Sequence, residues 1–143
     1  MTPEEIDAVV GSWQSLAPRR ARLQEIVAAH LPDAEGWPPS ERAGWILEAV
    51  ARCVSRLSQP SDLVGIARAV ATTYRARGVA ALREDGEALL MGLQLSGSLD
   101  IEARVAWRRA WYLVGELVAS AALSPFGNAP GQPGDGPPMV PAT

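Results

Sequence analysis

Lysine is absent from the 143 residues, so all 13 basic side chains are arginine. With so much alanine, glycine and proline in the chain, that absence reads as coding bias and carries no function. The single cysteine, Cys53, excludes an internal disulfide and a cysteine-based metal cluster. The single histidine, His30, is separated from Cys53 by a helix and a loop, so no nucleophile-and-base set assembles. No metal-ligand spacing of Cys, His or Asp is present. The glycines at 78, 86, 92 and 97 fall at corners or on helices and make no phosphate loop. These absences argue against an ordinary hydrolase or transferase. Charge of one sign is also scarce: a formal net charge of −3 gives no electrostatic case for nucleic acid or an anionic membrane. The longest apolar run, Ala110 to Leu123, is interrupted by Glu116 and falls short of the ~18 residues of a membrane span. The acidic start, Met1 to Asp7, lacks a signal-peptide pattern. The expectation is a soluble, cytoplasmic protein without nucleic-acid or membrane partners.

What is present is helical periodicity, with no alternating strand pattern and no repeat. Thr2-Pro3-Glu4-Glu5 is a start signal with a threonine cap and a capping box, followed by Ile6, Val9, Val10, Trp13 and Leu16 at helical spacing. A second helix, about Arg19 to Leu31, carries Leu23, Ile26, Val27 and His30 on one stripe, which reads as a buried, satisfied histidine. After a short loop containing Trp37, Ser40 is placed as the cap of a third helix running to about Ser58. Its stripe is Ile46, Leu47, Val50, Val54 and Leu57, with Cys53 beside it as a small buried hydrophobe. Trp45 falls on the opposite side, among Glu48, Arg52 and Arg56. It is either covered by the Trp37 loop or part of a protein-partner site with Arg52 and Arg56.

The stretch from Pro60 to Leu95 organises the chain. Leu63, Ile66, Val70 and Tyr74 recur at spacings that share one helical face, with Ser61 free to cap. Gly78 is the stop, and Arg75 and Arg77 suit the negative end of the helix dipole. Tyr74 therefore points inward with a hydroxyl that needs a partner. Leu82, Leu89 and Leu93 mark the next helix, whose Glu84-Asp85 start reads as solvated. The last helix, about Leu99 to Leu123, carries Ala103, Trp107, Ala110, Trp111, Val114, Val118 and Ala121 on its main face. Ile101, Val105 and Tyr112 lie on its far side, the pattern of a helix sandwiched in the core. Residues 124–143 hold half of the prolines and hardly any charge, which reads as a disordered Pro/Gly-rich tail after a domain at 1–123. The fold class expected is all-α, with about six helices.

Several of these stretches together resemble the globin family, in particular bacterial haemoglobins and flavohaemoglobin globin domains. Thr-Pro-Glu-Glu-Ile with Trp13 and Pro18 is similar to the family's first helix, and Leu57-Ser-Gln-Pro-Ser-Asp-Leu63 to the turn before its proximal helix. Gly78-Val79 with Gly86-Glu-Ala-Leu-Leu90 is similar to its corner and next helix, and Ala106-Trp107 with Ala110 to the start of its last helix. The resemblance covers about residues 2 to 123. It implies a globin-like bundle and haem-dependent binding of oxygen or another diatomic gas. It would set Tyr74, Trp37, Arg42, Val70, Val79 and Leu89 around the haem.

The chain departs from the family where it matters chemically. Tyr74 stands at the position of the iron-binding histidine, and the loop before the third helix offers only Trp37 to wedge a haem. The distal position falls near Glu41 or Arg42. Two readings of Tyr74 are open: a phenolate ligand to ferric haem iron, or a tyrosine filling the space with its hydroxyl hydrogen-bonded. The alternative function is a haem-free globin-fold sensor or protein-interaction module.

Overall fold

A computed structural model of the chain describes residues 1–78, 82–97 and 99–123. Among the described residues there are six α-helices and no strand: α1 (Pro3–Ser15), α2 (Arg20–His30), α3 (Pro39–Val54), α4 (Pro60–Arg77), α5 (Leu82–Ser96) and α6 (Ile101–Leu123). The all-α class expected from periodicity is therefore found. Val79 and the stretch from residue 124 onward lie outside the described residues, and with them the expectations placed there.

Local chemistry sets most helix boundaries. At α1, the Thr2 hydroxyl accepts from the Glu5 N–H at 3.1 Å and the Glu5 carboxylate accepts from the Thr2 N–H at 2.9 Å, a complete capping box. Pro18 converts the chain to a 3-10 turn, Ala17–Arg19, before α2. Two expected caps are corrected. Ser40 and Ser61 cap nothing: α3 and α4 begin at Pro39 and Pro60, where the proline ring presets the helical φ and no N–H is lost from the ladder. Gly78 ends α4 as expected, in the left-handed region at φ 67, with its N–H bonded to the Arg75 carbonyl at 3.1 Å. Asp100 caps α6 by accepting from the Ala103 N–H at 2.8 Å.

The helices pack chiefly as α4 along α6, α2 along α5, α1 along α6 and α2 against α3. Two apolar clusters result. The larger joins α1, α2, α3, α5 and α6 through residues such as Val9, Leu23, Val27, Leu47, Leu93 and Trp107. Trp107 is core, as its place on the main face of α6 predicts, and its indole N–H donates to the Ser12 hydroxyl at 2.8 Å. The smaller cluster lies between α3, α4 and the second half of α6, around Trp37, Ala67, Val70, Tyr74 and Val118.

Two burial expectations fail. α6 is not sandwiched: Ile101, Val105 and Tyr112 are exposed, because α1, α4 and α5 all pack on the Trp107 side. His30 is exposed as well; at the last residue of α2 its ring passes the edge of the core and Nδ1 sits 2.8 Å from the Ile26 carbonyl.

Candidate functional site

Tyr74 reaches the end of α4 on the face that also carries Leu63, Ala67, Val70 and Ala71, all buried. Its hydroxyl donates to Oδ2 of Asp85 on α5. The same carboxylate receives Arg42 of α3, with Nη2 at 2.5 Å from Oδ1 and Nε at 3.3 Å from Oδ2. Nη1 of Arg42 donates to the Pro32 carbonyl at 3.0 Å, which ties the network to the loop before α3. Arg42 and Asp85 are each only 1% exposed. A buried ion pair must replace its lost hydration with close geometry and further hydrogen bonds. Here the guanidinium forks onto the carboxylate and the phenol takes a further place on it.

The expectation that Glu84-Asp85 is solvated is thus overturned for Asp85. It lies three residues after Leu82 and four before Leu89, so the helical period turns it inward with them, while Glu84 stays exposed. Arg42 likewise precedes Ile46 by four residues on the inward stripe of α3. The missed signal was legible: opposite charges and a tyrosine, each at a core-facing phase of a different helix.

The environment fixes protonation. Burial, with the Asp85 hydrogen bond and charge added to it, pushes the Tyr74 phenol well above its ordinary value; the Arg42 charge opposes this weakly. Burial also raises Asp85, against the hydrogen bonds from Tyr74 and Arg42 that favour its charged form.

Trp37 and Trp45 close over this network. Their ring centroids are 5.2 Å apart, and both stand edge-on to Tyr74, at 6.2 Å and 5.4 Å. The guanidinium carbons of Arg77 and Arg42 lie 4.9 Å and 5.4 Å from the Trp37 ring centroid. Trp45 is half-buried with Trp37 against it, while Arg52 and Arg56 are exposed and Arg56 reaches Asp62 at 3.9 Å.

Below Tyr74 and Asp85 lies a cavity of about 70 Å³ between α3, α4, α5 and α6. Val70 and Leu89 line it, together with Tyr74; Trp37 and Arg42 do not. Cys53 also lines it, half-buried, and burial pushes its thiol up to about 11, which keeps it protonated at neutral pH. Trp111 forms another wall and packs closely on α5 at Gly86: a Cβ there would fall 2.0 Å from a Trp111 ring carbon.

A haem does not fit this arrangement. A ring held between Tyr74 and Arg42 needs the two side chains on opposite sides of it. Instead both bond to one oxygen of Asp85. The Tyr74 hydroxyl is engaged with the Asp85 carboxylate rather than turned toward an open space. A cavity of about 70 Å³ has room for a ligand of a few heavy atoms, far short of a porphyrin. Among the described residues no cluster of three or more His, Cys, Asp or Glu is placed to hold a metal ion. Among the same residues no helix is long and apolar enough to cross a membrane.

No family model matches the chain, and no curated protein matches its sequence.

Proposed function

We propose that this chain is a globin-like helical module that works without haem, as a sensor. The globin-like assignment is supported by the order of the stretches quoted above: the first lies on α1, the second leads into α4, Gly86 to Leu90 lie on α5 and Ala106 to Ala110 on α6, with a left-handed glycine closing α4. The observation that carries the haem-free reading is the buried Arg42–Asp85–Tyr74 network. It occupies the side chains that the resemblance assigns to the two faces of a haem, and it joins α3, α4 and α5 through one carboxylate. Such a link makes the spacing of three helices depend on one site, which is the mechanical requirement of a sensor. Haem-dependent gas binding would require the network to open and Tyr74 to lose its proton in an apolar setting.

The test is a visible absorption spectrum of the protein purified from haem-supplied cells. The expected result is no haem band in the parent and little in Tyr74→His, since the imidazole would meet Asp85 rather than open space. A stoichiometric, well-formed band in either protein overturns the haem-free reading.

A further inference from the structure

We infer that the partly open cavity between α3, α4, α5 and α6 is a binding site for a small, uncharged, apolar molecule of a few heavy atoms. The inference rests on the haem-free reading and names the ligand class of the same site.

Size sets the first limit. A cavity needs about 10–15 Å³ of this kind of volume to accept one water-sized body; about 70 Å³ therefore takes several such bodies, or one compact organic molecule. Chemistry sets the second. The deep wall is Val54, Leu89 and Ala110, with the indoles of Trp45, Trp107 and Trp111 around it. Only Tyr74 and Asp85 bring oxygen atoms. The Tyr74 proton is spent on Asp85, and Asp85 already accepts two bonds from Arg42. The Trp107 N–H is turned out to Ser12. An ordered water needs two to four polar partners, and this site has few to spare, so water gains little by filling it. A charged molecule would lose its hydration with no counter-charge free to receive it, and an anion would in addition meet Asp85. An uncharged apolar molecule loses nothing of this kind and gains carbon contacts on several sides.

Access is the third consideration. Val50, Cys53 and Val114 line the cavity and keep partial exposure, so its mouth lies between α3 and α6. The thiol there is uncharged at neutral pH and sets no electrostatic barrier. The occupant would also touch Tyr74 and Trp45, the residues that carry the aromatic cover and the ion-pair network, so occupancy is coupled to the packing of α3 on α4.

The experiment titrates the full chain, followed by nitrogen–proton NMR of the indole groups. The probes are xenon and cyclopropane, with acetate and ethylammonium as charged probes of comparable bulk. The expected result is saturable shifts of the Trp45, Trp107 and Trp111 signals with the uncharged probes, and binding about ten-fold or more weaker for the charged ones. Val114→Phe, which fills the mouth from a half-buried position, should abolish the shifts; if that variant does not fold, Cys53→Leu serves the same purpose. Absence of a saturable shift with either uncharged probe overturns the inference, as does equal binding by a folded, blocked variant. The absorption spectrum keeps the two readings apart. A colourless protein without probe binding sinks the ligand class alone, whereas a haem band sinks the haem-free reading itself.

Discussion

The two clusters of this molecule are built by different means. The larger, around Val27, Leu93 and Trp107, is held by apolar area and shape; the Trp107 indole N–H finds a hydroxyl on α1. The smaller, around Trp37, Val70 and Tyr74, adjoins a buried guanidinium, carboxylate and phenol that satisfy one another. Burying aliphatic area is favourable piece by piece, at roughly 25 cal/mol per Å². Burying a charge is unfavourable until every partner is in place. The larger cluster should therefore lose stability in proportion to the atoms removed, and the smaller should lose it all at once.

The sharpest contrast is expected from Asp85→Ala. It strands Arg42 without a counter-charge at 1% exposure, and the cost should be about 3–5 kcal/mol. In a double-mutant cycle read by denaturant unfolding, Arg42→Met with Asp85→Leu together should cost far less than the two single changes added. Additive losses would mean that the pair is not coupled. Trp107→Ala, in the larger cluster, should also cost about 3–5 kcal/mol, but through an ordinary cavity. Its loss should not simply add to that of Asp85→Ala, because both side chains line the same cavity and the two truncations enlarge one space.

A smaller loss is expected from Gly86→Ala, which drives a methyl into the Trp111 ring. Overpacking of that kind costs about 1–3 kcal/mol, partly offset by the better helix propensity of alanine. A variant as stable as the parent would show that Trp111 moves aside freely. The smallest loss is expected from Tyr74→Phe, which deletes one hydrogen bond and should cost about 0.5–1.5 kcal/mol at neutral pH. Its pH signature is more telling. The folded phenol titrates above its unfolded value, so its contribution is complete below about pH 10 and is lost as pH rises beyond it, because the unfolded chain then releases a proton that the folded one keeps. The parent should lose about 1.4 kcal/mol per pH unit in that range from this group alone, and Tyr74→Phe should show that much less slope. Equal slopes in parent and variant would place the phenol in water.

How much of this was legible follows from which interactions are local. The Thr2–Glu5 capping box, the Gly78 stop, the inward turn of Tyr74 and the burial of Trp107 all depend on neighbours within a turn or on helical phase, and each is found where the sequence puts it. Phase failed at helix ends and outer faces. His30 and the Ile101–Val105–Tyr112 stripe have apolar periodicity, yet no partner helix among the described residues arrives to cover them. Asp85 failed for the opposite reason: its phase was inward, but a carboxylate beside two other acidic residues reads as solvated unless the partners that neutralise it are known.

The sequence by itself determined the six helices, most of their boundaries to within a residue or two (α3 ends at Val54, short of the expected Ser58), and the inward placing of Tyr74. Those properties follow from caps, proline and glycine positions and a 3.6-residue period, all of them short-range. Only the tertiary structure decided what Tyr74 meets. Arg42, Tyr74 and Asp85 come from three helices, and Arg42 and Asp85 are 43 residues apart in the chain, so no local rule pairs them. Their meeting depends on how α3, α4 and α5 cross. Once they meet in an apolar setting, desolvation makes their bonds to one another the favourable arrangement.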